Sequence, residues 1–98
     1  MDRDRAFKWG LTEESRRWRR DVVRRFPHLV DFAPAELNED YLDKLIGWLR
    51  KRRGRFEQFG VIEDGFVVRY CFAAADDARA FYRRFAGLAE RAALRIAA

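Results

Sequence analysis

The stretch Arg55 to Gly87, RFEQFGVIEDGFVVRYCFAAADDARAFYRRFAG, constrains the fold more than any other. Two strand-like segments meet at Asp64-Gly65, and a helix-like segment follows at once. Asp-Gly suits the central positions of a type I′ turn, where both residues take φ > 0. A two-residue loop there pairs Glu63 with Phe66, Val61 with Val68, Phe59 with Tyr70 and Glu57 with Phe72. Alternation then gathers Phe59, Val61, Phe66, Val68, Tyr70 and Phe72 on one face. The other face takes Phe56, Gln58, Gly60, Ile62, Val67, Arg69, Cys71 and Ala73. That mixed set reads as half covered or as an interface. Two strands alone are marginal in water, so the hairpin needs a cover. Ala78, Phe81, Tyr82 and Phe85 recur at helical spacing. Asp76 and Asp77 stand where a helix N-terminus favours carboxylates. Gly87 suits the position after the helix, with Leu88 folding back on Tyr82. The pattern predicts a helix over 76–86 lying on the hairpin.

Upstream, Thr12 is a suitable N-cap, with Glu13 and Glu14 in the first turn. Pro27 ends the helix near Phe26. Its apolar stripe is Trp18, Val22 and Phe26. Arg16, Arg20 and Arg24 form a row on another face, beside Arg17. Residues 27–37 join two helices, and His28-Leu29-Val30 suits a short strand. Asn38 can cap a second helix carrying Tyr41, Leu42, Leu45, Ile46, Trp48 and Leu49, with Gly54 closing it. Past Gly87, LAERAALRIAA is helix-prone but too short to be helical alone. It packs back, pairs with another chain, or frays. Residues 1–10 are expected to fray, with Trp9 docked on the domain and a short edge strand allowed at Ala6–Trp9.

The expectation is one α+β domain over residues 1–98, in the order α-α-β-β-α, with an antiparallel hairpin covered by helices. One short extra strand is allowed, near the N-terminus or at 28–32. The hairpin-and-helix resembles the closing module of many small bacterial α+β proteins, which implies no activity. With a strand before the first helix, the order resembles the KH RNA-binding fold. KH domains clamp RNA with a G-x-x-G loop between their first two helices. Residues 27–37 hold no glycine and carry Asp31 and Glu36, so no KH site is carried over.

Ninety-eight residues suffice for one modest core. No apolar run reaches membrane-spanning length and no signal-peptide core is visible. A single cysteine excludes an internal disulfide, and a cytoplasmic protein is the default. The net charge is +5, unevenly spread. Residues 1–25 carry a net +4, residues 26–49 a net −4 and residues 50–55 a net +5, while 56–98 balance.

Catalytic equipment is sparse. His28 and Cys71 are each the only residue of their kind, as are Ser15 and Thr12. A Cys–His pair can act as nucleophile and base, but Cys71 lies in an apolar strand and nothing is placed to orient His28. Two Cys or His residues cannot build a structural zinc site, and no phosphate-binding glycine loop is present. Neither a catalytic nor a cofactor or metal site is therefore expected. Two basic stretches, Arg16, Arg17, Arg20, Arg24 and Arg50, Lys51, Arg52, Arg53, Arg55, could meet phosphates. A solvated helix face and a dipole-matched helix end explain them more simply. The candidate protein interface comprises Trp9, Phe56, Ile62, Val67 and Leu88. The reading is a small non-enzymatic binding module. Protein association, self-association included, comes first and nucleic-acid binding second.

Overall fold

A computed structural model describes residues 13–34, 39–62 and 65–98. Its elements are α1 (Glu13–Arg25), β1 (His28–Pro34), α2 (Glu39–Arg50), β2 (Phe56–Ile62), β3 (Phe66–Phe72), α3 (Ala75–Phe85), a short 3-10 turn (Ala86–Leu88) and β4 (Ala89–Arg95). The four strands form one sheet in the order β2-β3-β1-β4, antiparallel throughout. Helices cover both faces. Trp9, Thr12, Asn38, Glu63 and Asp64, on which several sequence expectations rest, lie outside the described residues.

The order α-β-α-β-β-α-β corrects the expected α-α-β-β-α. Two strands account for the difference. The segment at 28–32 is a full inner strand over His28–Pro34, placed between the first two helices, so the KH-like order does not arise among the described elements. The last stretch is β4, paired antiparallel with β1. Its Ala and Leu residues favour a helix locally. Tertiary pairing overrides that preference, because Ala92 and Leu94, opposite Phe32 and Val30, add to the core that those residues begin.

The hairpin forms where expected but one residue out of the expected register. Ile62 pairs with Phe66, Val61 with Val67, Phe59 with Arg69 and Phe56 with Phe72. Three residues, 63–65, separate the strands, and Gly65 takes φ 105°. Loops of that length commonly end on a left-handed residue, which glycine adopts without strain. A one-residue shift moves every side chain to the opposite face. Phe59 and Val61 therefore leave Tyr70 and Phe72 and join Val67 and Cys71. Both faces of the sheet accept apolar residues, because helices pack on each. Val22 and Val23 of α1, with Phe26 just after it, close over Phe59, Val61, Val67, Cys71, Leu29 and Ala33. On the other face α2 and α3 close over Val30, Phe32, Tyr70 and Phe72.

That second core is built on Phe81. The apolar stripe Ala78, Phe81, Tyr82, Phe85 faces the sheet as its spacing requires. The Phe81 ring lies 4.7 Å from Tyr70, 5.1 Å from Phe85, 5.4 Å from Phe72 and 5.6 Å from Trp48 between centroids. The rings are tilted at 44–59° to one another, and aromatic pairs at these separations add about 0.5–1.5 kcal/mol each beyond their buried area. Gly87 does not take the left-handed cap conformation; among the described glycines only Gly54 and Gly65 have positive φ. The chain instead tightens through the 3-10 turn into β4, leaving Leu88 exposed.

Adjacent residues test which side of β3 is covered near the hairpin tip. Val67 is buried under α1, whereas Phe66 is 59% exposed. Val67→Asp buries an unpaired carboxylate and should destabilise the fold by at least about 3 kcal/mol. Phe66→Asp should cost about 1 kcal/mol, since its ring lies over Gly60 but largely in solvent. Urea denaturation of the two variants checks this. The expected arrangement, with Phe66 on the covered apolar face and Val67 on the mixed one, requires the opposite ranking.

Candidate functional site

Two carboxylates, Asp77 buried and Asp31 half-buried, organise the charged side chains. Asp77, at the N-terminal end of α3, receives bonds from Arg52 at 3.3 Å and from Arg55 at 2.8 and 3.0 Å. The Arg52 guanidinium also stacks 3.4 Å from the centre of the Trp48 ring and donates to the Trp48 carbonyl. The segment linking α2 to β2 is thereby clamped to α3. Asp76, its neighbour, is exposed and meets Arg79 at 3.4 Å.

Asp31 lies in the middle of β1, directly across from Arg69 of β3. Arg69 grips it with two bonds, 2.7 and 2.9 Å, and Arg95 of β4 adds a third at 3.1 Å. Burial pushes the Asp31 pKa up, but the bonds and charges of Arg69 and Arg95 together outweigh it. The carboxyl is held below its ordinary value. Arg19 of α1 sits over the same face, 5.1 Å from the Phe59 ring centre, and donates to the Gly60 carbonyl at 2.9 Å. Burial first, then the Arg69 charge, lowers the Arg19 pKa. Trp18 meets Phe59 edge-on at 5.8 Å. Asp31 was legible only as a charge in a presumed connection; its role needs the β1–β3 pairing, which joins residues 38 positions apart.

The predicted basic residues divide between the two sides of the sheet. Arg16, Arg17, Arg20 and Arg24 are exposed on α1, and Arg24 pairs with Asp21 at 3.1 Å. The stretch from Arg50 to Arg55 follows α2 on the opposite side, so the helices do not combine the two into one face. Arg52 and Arg55 are committed to Asp77. Arg50, Lys51 and Arg53 remain exposed, without an ion pair to any described residue.

The predicted interface residues separate as well. Val67 is core beneath α1, Phe56 packs half-buried on Phe72, and Leu88 is exposed on the 3-10 turn. Ile62 is 83% exposed at the hairpin tip, opposite Phe66. Sequence reading missed Ile46, assigned to the core arc of α2 but 46% exposed. Ile46, Leu49, Arg50, Arg53, Phe56 and Gln58 line an open groove of about 230 Å³ between α2 and β2. Phe56, Gln58, Gly60 and Ile62 alternate onto one face of β2. With the Phe66 ring over Gly60, Phe56 and Ile62 carry an apolar strip from the groove to the hairpin tip, with Gln58 as its polar member.

The Cys–His reading finds no geometry to support it. His28 is paired with Phe72 and Leu29 with Cys71, so His28 and Cys71 project from opposite faces. His28 accepts the Ala97 amide through Nδ1 at 3.2 Å. Burial pushes the Cys71 thiol up to about 12, so it stays protonated and inert at neutral pH. Among the described residues no group of three Asp, Glu, His or Cys side chains is placed to hold a metal ion. No described helix is long and apolar enough to cross a membrane. No family model matches the chain, and neither does any curated protein or solved structure.

The Asp31 cluster predicts a pH signature. A carboxyl whose folded pKa lies below its unfolded value stabilises the fold above the unfolded value near 4. That contribution is lost as pH falls through the folded pKa. Asp31→Asn should cost about 2–3 kcal/mol at pH 7. The gap from wild type should narrow as pH drops below about 4. Urea midpoints at pH 7 and at pH 3 measure both effects, and an equal gap at the two values would remove the ion cluster from the stability of the fold.

Proposed function

We propose that this protein is a non-enzymatic binding module that associates with another protein through the flank formed by α2 and β2. The carrying observation is the apolar strip there. Ile46, Ile62 and Phe66 are all exposed on a chain that has enough helix to cover both faces of its sheet. Exposed apolar surface of this kind, rimmed by polar groups, marks interaction sites in soluble domains. The rim is Gln58, Arg50 and Arg53.

The edge position of β2 supports the same reading. Its far side has no strand neighbour in the described sheet, and unpaired edges are where chains add strands to one another. A second copy of this chain is one partner that this surface admits.

Nucleic-acid contact through α1 is the second reading, favoured by Arg16, Arg17 and Arg20 exposed on its outer surface. It is weaker. The other basic stretch follows a helix on the opposite face of the sheet, and two of its cations are held by Asp77.

Photo-crosslinking separates these readings. A benzophenone amino acid placed at Ile62, in cells making the protein, should yield a discrete higher-mass protein adduct. The same group at Arg83, exposed on α3, should yield none. Equal adducts at both positions, or a nucleic-acid adduct from position 17 without a protein adduct from position 62, would overturn the reading.

A further inference from the structure

The groove at the β2 edge restricts what can dock there. Its floor is apolar, from Leu49 and Phe56, and Ile46 and Gln58 stand at its sides. Two guanidinium groups, those of Arg50 and Arg53, complete the lining. The two other arginines of the same stretch are held by Asp77, one of them also stacked on Trp48. Arg50 and Arg53 have no ion pair to any described residue and line an opening beside the edge strand. Apolar floor, cationic lining and strand edge therefore lie side by side.

We infer that this groove takes an extended, acidic-apolar peptide segment of another protein, which adds to β2 as a further strand. The inference rests on the proposed function and names the partner's chemistry. Successive side chains of a strand alternate, so every second residue of the added segment faces α2. One such residue fills the apolar floor. The next on the same face lies two positions along, roughly 6.5–7 Å away, and places a carboxylate against Arg50 and Arg53. Guanidinium groups hold carboxylates through paired, charge-assisted bonds, which fixes the register of the added strand. Main-chain pairing supplies affinity and the groove supplies selection. The chain's own net charge of +5 favours an acidic partner over a second copy, which would bring its own Arg50 and Arg53 to the same edge. A nucleic acid fits poorly, since its phosphates would lie along Ile46 and Leu49 while its bases would find no flat stacking platform.

The test is selection from a phage-displayed library of random nonapeptides on the full-length folded chain. The selected peptide is then titrated by fluorescence anisotropy and its site mapped by amide chemical shifts. Enriched sequences should carry Asp or Glu two positions from Leu, Ile or Phe, and should shift the signals of Ile46 and Gln58. Binding should fall at least tenfold in Arg50→Glu with Arg53→Glu. It should be largely kept in Arg50→Lys with Arg53→Lys, and should weaken with salt. Both double variants alter exposed side chains, and circular dichroism checks that they fold. Peptides that shift Ile46 and Gln58 but lack carboxylates, or ignore the charge reversal, would overturn the acidic partner and leave the docking flank standing. Peptides that shift only residues elsewhere, or no enrichment at all, would overturn the inference. The crosslink from position 62 would then judge the docking flank by itself.

Discussion

The structure depends on β3 being covered on both faces along most of its length. It lies inside the sheet, between β2 and β1, with α1 on one side and α2 with α3 on the other. Its successive residues therefore belong to different cores. Val67 and Cys71 pack beneath α1, while Tyr70 and Phe72 pack beneath Phe81. Arg69 faces α1's side, and it can do so only because Asp31 stands opposite it. An inner antiparallel strand buried on both faces makes a continuous apolar run instead of alternating with polar residues, the pattern more usual for fully covered parallel sheets. With apolar residues at almost every position, periodicity alone does not decide which face is which.

The second structural theme is how the arginines are used. Asp31 and Asp77 are each gripped by two arginines from elements distant in sequence. Each cluster ties elements that the hydrophobic cores also join: β1 to β3 and β4 in one case, the α2–β2 link to α3 in the other. Removing one partner of such a group leaves the other charge without its match, so these pairs act chiefly as constraints on geometry. They also determine which basic residues are left for other work. The Arg50–Arg55 run resembles one uniform patch in sequence. In the fold it is split into two arginines locked on Asp77 and three exposed cations, two of which line the groove at the edge strand.

The helices were the legible part. Trp18, Val22 and Phe26, then Leu42, Leu45 and Leu49, then Ala78, Phe81 and Phe85 repeat at helical spacing, and most of them lie in or against the two cores. The hairpin was legible as a hairpin, because Gly65 demands a turn. Its register was not, since a two-residue and a three-residue loop both use that glycine, and both faces of the sheet accept apolar residues. β4 was hidden because Ala, Leu and Arg are good helix formers and its partner β1 lies some sixty residues earlier. The groove was half legible. Phe56 and Ile62 stood among the interface candidates, and Arg50 and Arg53 among the basic ones. Nothing in the linear pattern joined them, because Ile46 reads as core and the α2–β2 junction is a tertiary contact.

The docking flank follows from the same register. With Phe66 opposite Ile62, the apolar face of β2 runs from Phe56 to the hairpin tip and stays open beside α2. A one-residue shift would turn Ile62 to the side of α1 and dissolve the strip. Interstrand nuclear Overhauser effects on the isotope-labelled protein measure that register directly. The account predicts cross-strand backbone contacts joining Phe59 to Arg69, Val61 to Val67 and Ile62 to Phe66. Contacts joining Phe59 to Tyr70 and Val61 to Val68 instead would contradict it, and with it both the two-faced core and the open flank at β2.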